Sequence, residues 1–135
     1  MTATLAIIGA GPKAVAVAAK AAVLRGMGVP APEVLTVERS AVAANWQPGG
    51  GWTDGNHRLG TGPEKDVGFP YRSALVPRRN AELDEQMMRY SWQSYLVGTG
   101  QFADWIDRGR PAPPHRTWAR YLLSLIHISE PTRPY

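Results

Sequence analysis

The chain has 135 residues, enough for one domain, and its 44% apolar and 19% charged content suits a folded globular protein rather than a disordered one. It has no cysteine, which excludes disulfides and thiolate metal sites, and no apolar stretch is long enough to span a membrane or is built like a signal peptide. The net charge of +4 comes from arginines spread between Arg25 and Arg133 without a dense run, so they read as solvated charges plus a few phosphate contacts, and a cytoplasmic enzyme is the expectation.

The first predicted strand is residues 4–8, continuously apolar as a central parallel strand should be. Gly9-Ala10-Gly11-Pro12-Lys13-Ala14 follows at once and leads into an alanine-rich helix. This is G-x-G-x-x-A at a strand-to-helix turn. Gly9 permits the tight turn, Gly11 lets a pyrophosphate approach the backbone, and Ala14 lets the helix pack close to a sheet. Pro12 suits the first helical turn. Lys13 either adds charge toward a pyrophosphate or is exposed at the helix start. The helix runs to about Arg25, with Ala14, Val17, Ala18, Ala21 and Leu24 at helical spacing, and Gly26 and Gly28 stop it. Residues 34–37 form a second strand, ending in Glu38-Arg39.

Residues 40–77 hold half of the glycines together with Trp46, Trp52, Phe69 and Tyr71, so a long irregular loop with a function is expected. Asn80 has the character of an N-cap for one helix over 81–97, with Leu83, Met87, Tyr90 and Ser94 on one face. A second helix is predicted from Pro114 to about Leu122. Residues 123–135, LSLIHISEPTRPY, resemble the translation of a transposase sequencing adapter. They are read as a non-native tail and set aside, so His127 and Arg133 receive no role.

Glu38 at the tip of the second strand is placed to accept hydrogen bonds from ribose hydroxyls and to repel a 2′-phosphate, which disfavours NADP there. Pro12 after the second glycine, Arg39 after the acid, and the Gly/Trp loop favour FAD over NAD. Other candidates are weaker. His57 and His115 lack ligand-like spacing for a metal, and Ser73 and Ser91 have no evident base partner. Met87, Met88 and Trp92 suit packing. Arg78 and Arg79 sit at a helix start, against its dipole, which calls for a partner such as Glu82 or Asp84.

The run Asn45-Trp46-Gln47, Gly50-Gly51-Trp52-Thr53-Asp54-Gly55, His57-Arg58-Leu59-Gly60-Thr61 and residues 63–73 resembles the lysine 6-monooxygenases of mycobactin-type siderophore biosynthesis. These belong to the flavin-dependent N-hydroxylating monooxygenases. The similarity continues through Leu75-Val76-Pro77-Arg78-Arg79-Asn80, residues 89–95 and residues 105–111, covering essentially 1–122. The resemblance implies an α/β fold with a partial Rossmann-like FAD-binding domain, of which 1–122 is the N-terminal part, its sheet of two parallel strands left incomplete by truncation. It implies FAD as cofactor, NADPH bound by a domain outside this chain, and O2 and lysine or a lysine-containing precursor as substrates. The terminal amine must lose its proton to react, so the site must favour its neutral form.

Residue by residue, the resemblance matches Gly9, Gly11, Glu38, Trp46 and Gln47 to cofactor positions and gives the substrate α-carboxylate to Lys65 of the Lys65-Asp66 pair, while Pro12, Lys13, Ala14 and Arg39 join the cofactor-binding candidates from the fingerprint and strand end themselves. Gln47 stands where the wider class has histidine, and Gly60 where it has glutamine. No catalytic residue and no metal ligand is assigned. The alternatives are a fragment of another FAD/NAD(P)H oxidoreductase, for which Lys65-Asp66 has no use, and a non-catalytic basic nucleic-acid module, for which the scattered tryptophans make no stacking platform. Two strands with an open edge predict a segment that is marginal and inactive by itself.

Overall fold

The computed structural model describes residues 3–50 and 53–129; Gly51 and Trp52 of the loop and residues 130–135 of the tail lie outside the described residues. The order is β1 (Thr4–Ile8), α1 (Pro12–Gly26), β2 (Glu33–Val37), short 3-10 turns at Ala44–Trp46, Pro48–Gly50 and Pro63–Lys65, α2 (Asn80–Met87), a 3-10 turn at Met88–Tyr90, α3 (Trp92–Gly98), α4 (Phe102–Asp107) and α5 (His115–Ser129). β1 and β2 pair in parallel, Thr4 opposite Glu33 through Ile8 opposite Val37. This is the α/β, incomplete-sheet architecture that the sequence implies. The strands are not buried as a central pair would be. Ile8 is 94% exposed, and Leu35 and Val37 lie beside it on the same bare face.

The helix α1 is buried on two sides, which shifts its apolar face from the one predicted. Val15, Ala19, Val23 and Met27 join the main cluster with α2, α3 and α5, while Ala14, Ala18 and Ala21 are buried outside it, on the side toward β2. Val17, expected inside, is exposed, and Leu24 packs at the margin.

The expected helix over 81–97 is two helices. At the break, Ser91 caps α3 by accepting from the Ser94 N–H (3.0 Å), and the Asp66 carboxylate takes the Trp92 N–H (2.5 Å). Asn80 is not the N-cap of α2. It is the first helical residue, and its Oδ1 accepts from the Val76 N–H instead. Met87 is fully buried as expected, whereas Met88 is exposed. α4 carries no proline or capping signal and was not foreseen; Trp105 anchors it. α5 does not stop near Leu122. Residues 123–129 hold no proline or glycine, and Leu122 and Leu125 lie in the same buried stripe, so the helix propagates into the tail.

The core is aromatic. Trp92 is fully buried, with the rings of Tyr95, Trp105, Trp118 and Tyr121 within 5.4–6.4 Å of its own. The Tyr121 hydroxyl donates to the Tyr90 carbonyl at 2.6 Å, tying α5 to the end of the Met88–Tyr90 turn. Tyr121→Phe leaves that buried carbonyl without its donor and is expected to cost about 1–3 kcal/mol in chemical denaturation, with unchanged helical circular dichroism.

Candidate functional site

The β1–α1 turn is held by backbone and one side chain. Gly9 has φ +96°, a conformation open to glycine, and its N–H donates to the Val37 carbonyl (2.8 Å). The next N–H, of buried Ala10, donates to Glu38 Oε2 (2.8 Å), while Glu38 Oε1 accepts from the Ser40 N–H (2.9 Å). One exposed carboxylate therefore links the turn to the end of β2. These backbone donors, Ala10 first, hold its pKa below the usual glutamate range. The Ala10 carbonyl accepts from Ala43, which sits at φ 57° and starts the Ala44–Trp46 turn.

Gly11 is the N-cap of α1, with no side-chain cap bond, and Pro12 begins the helix. A Cβ at Gly11 would meet nothing within 4 Å, so the protein's own packing does not demand a glycine there and the front of the helix is open. Gly50 is different. A Cβ there would lie 1.9 Å from the Ala44 carbonyl oxygen, so glycine lets the loop fold back on itself. The result is a cleft of about 160 Å³ lined by Gly11, Pro12, Glu38, Arg39 and Trp46, together with Ser40 and Asn45. This is below the few hundred Å³ of a complete small-molecule pocket, and suits part of a dinucleotide.

The structure does not bring every named residue to that cleft. Gly9 and Ala14 do not line it, and Lys13 is exposed and outside the lining. The Gln47 amide is turned to the Val42 carbonyl (3.1 Å). Sequence reasoning did not foresee the neighbour of Trp46: the His115 ring stands edge-on to it at 4.9 Å, its Nδ1 3.0 Å from Thr53 Oγ1. No local signal joins residues so far apart in the chain. Among the described residues no cluster of histidine and carboxylate groups could hold a metal, and no helix is long and apolar enough to cross a membrane.

Lys65 lies apart, exposed at the end of the Pro63–Lys65 turn, and its ammonium has no ion pair among the described residues. Asp66 beside it is buried. Its two oxygens take the Trp92 N–H and the Tyr71 hydroxyl (2.6 Å). Burial pushes the Asp66 carboxyl above its ordinary range against those two hydrogen bonds, and burial followed by the Asp66 contact pushes the Tyr71 phenol up as well.

Ser73 donates to Asp84 Oδ1 (2.5 Å) and accepts from Lys20 Nζ (2.9 Å). A protonated lysine on its oxygen makes this a tie between α1, the loop and α2, not a nucleophile. Arg79 finds the partner its position calls for in Glu82, through two 2.8 Å bonds, and also reaches the Met27 carbonyl.

A parallel strand pair, a glycine turn opening a helix and an acid at the second strand's tip define part of a Rossmann-like α/β domain. Models of protein families match this chain nowhere. It is 76% identical over 122 residues to the L-lysine N6-monooxygenase MbtG of Mycobacterium sp. (strain MCS), covering 90% of this chain and 28% of that protein. It is 78% identical over 119 residues to the enzyme of the same name from Mycolicibacterium paratuberculosis, covering 88% of this chain and 28% of that protein. Among solved structures it resembles the lysine monooxygenase NbtG from Nocardia farcinica, noted for its NADPH domain conformation. The TM-score is 0.88 at 55% identity, over 94% of this chain and 33% of that one. The chain is thus similar, as a segment, to lysine N-monooxygenases, and it spans under a third of the length of these curated relatives.

Gly9→Ala should destabilise the chain by about 1–3 kcal/mol through backbone strain, whereas Gly11→Ala should change its stability by less than about 0.5 kcal/mol in the same denaturation assay. The Glu38 link should be present above the ordinary glutamate range and be lost as pH falls through the lowered folded-state value. Glu38→Gln should therefore flatten that acid limb of the stability-versus-pH curve.

Proposed function

We propose that this chain is the cofactor-cradling segment of an FAD- and NADPH-dependent monooxygenase that hydroxylates the terminal amine of L-lysine, or of a lysine-containing precursor, in hydroxamate siderophore biosynthesis. The observation that carries the reading is the open front of α1 at Gly11, set beside Glu38 in a chain three-quarters identical to lysine N6-monooxygenases. Gly11 and the N–H groups of the first helical turn fit a pyrophosphate, which the helix dipole favours. Each Glu38 oxygen accepts one backbone N–H and keeps a lone pair for a ribose hydroxyl. Arg39 and the Trp46 side chain complete the walls of the cleft.

Bound FAD would supply the redox chemistry, with NADPH as the reductant and O2 as the oxygen source, one oxygen atom ending on the amine and the other in water. Lys65 gives a point charge for the α-carboxylate of the amino acid. Gln47, tied to the Val42 carbonyl, contributes no proton transfer. Residues 123–135 are read as a foreign, adapter-derived tail, its helical start carried on by the buried stripe of Leu122 and Leu125.

The test uses the full-length protein that contains this segment. It should purify yellow with stoichiometric flavin. Gly11→Leu, which places a side chain in the cradle, should purify colourless with wild-type circular dichroism. A wild-type protein that stays colourless when soaked in FAD overturns the reading.

A further inference from the structure

We propose that Asp66 is a positioning residue for Lys65: its inward-turned carboxylate, clamped by Tyr71 and the first N–H of α3, fixes the lysine's backbone and leaves the ammonium free for a substrate carboxylate. The proposal rests on the role given to Lys65 above and adds the device that makes the role possible.

Three observations carry it. First, Asp66 adopts φ 54°, ψ −137°, a conformation that glycine takes freely and aspartate does not. The side chain must offset that strain, and it does so through two short hydrogen bonds to its two oxygens, from the Trp92 N–H and the Tyr71 hydroxyl. Second, the backbone around Lys65 is fixed on both sides. The Asp66 N–H donates to the Pro63 carbonyl and the Gly68 N–H to the Lys65 carbonyl, each at 2.9 Å, and Pro63 is fully buried.

Third, the carboxylates on either side of Lys65 are turned elsewhere. Asp66 is committed to Tyr71 and Trp92, and the Glu64 carboxylate lies over Gly62. An exposed lysine flanked by two acids would ordinarily be partly neutralised by them. Here Lys65 has no ion pair among the described residues, so its charge is available to an incoming anion. The clamp also ties the lysine to the aromatic core, since Trp92 is the residue around which that core is built.

The experiment measures steady-state kinetics and flavin content of the full-length protein carrying Lys65→Ala, Asp66→Gly, Asp66→Asn or Tyr71→Phe. Lys65→Ala should raise the KM for lysine by about tenfold or more, the effect of losing one charged contact. Asp66→Gly suits the backbone but loses the clamp. It should raise the same KM by about three- to tenfold, with the loss falling on KM rather than on kcat or flavin content. Asp66→Asn should recover most of the loss, because its amide oxygen accepts from Trp92 and its NH2 donates to the tyrosine oxygen. Should Asp66→Gly fail to fold, Tyr71→Phe removes one arm of the clamp and should still raise KM by about threefold.

If Lys65→Ala leaves KM unchanged, the substrate role of Lys65 falls and the proposal falls with it. If Lys65→Ala raises KM but the clamp variants leave it at the wild-type value, or lower kcat and flavin content in step with it, the proposal alone is overturned and Asp66 is a purely structural residue.

Discussion

A helix built mainly of alanine and valine can be approached closely from two directions, and α1 is packed in that way. Its small side chains let β2 lie against one flank, while Val15, Ala19 and Val23 meet the tryptophan and tyrosine cluster on another. The sheet has only two strands and buries little by itself, so its position is set by this shared helix. The same helix presents its N-terminus at the cleft. Packing of α1 therefore places the cleft, and the aromatic cluster behind it supplies the apolar burial that a two-stranded sheet lacks.

Three carboxylates organise the long loop in place of regular secondary structure. Glu38 joins the β1–α1 turn to the chain after β2. Asp84 takes the Ser73 N–H and hydroxyl and draws Lys20 of α1 toward the same point. Asp66 joins the loop to the start of α3. Each accepts at least one backbone N–H that no ladder serves, which lets a glycine-rich stretch keep one shape without a sheet. The physical environments differ. Glu38 and Asp84 are open to solvent and held below their ordinary range by their donors, whereas burial dominates at Asp66 and pushes it the other way.

The uncovered face of β1 and β2 has a physical meaning in the same terms. Ala6, Ile8, Leu35 and Val37 form one apolar side of the pair, opposite the side that α1 covers. Parallel sheets occur almost only with both faces covered. The relatives are more than three times as long as this chain, so they have ample residues to cover that face. The cleft and the lysine turn therefore lie on a segment whose second sheet face has no cover among the described residues.

Local chemistry alone made much of this molecule legible. The apolar run at 4–8, the G-x-G-x-x-A turn and Glu38 encode their roles within a few residues of one another, so strand, turn, helix and acid were readable in order. Their placement around one cleft was not, nor was the edge-on His115 beside Trp46, because no periodicity links positions so distant. The break between α2 and α3 was hidden because the apolar spacing of Leu83, Met87 and Tyr90 continues across it; a buried carboxylate from elsewhere in the chain captures the Trp92 N–H and decides the matter. The tail likewise followed the stripe it inherited from Leu122 and Leu125, not the prolines further on. Sequence by itself determined the chemistry each short segment can perform, since backbone freedom, charge and side-chain size are local properties. Tertiary structure alone decided which of those segments meet and which lysine is left without a partner, because burial and hydrogen-bond competition are settled only when distant parts of the chain pack together.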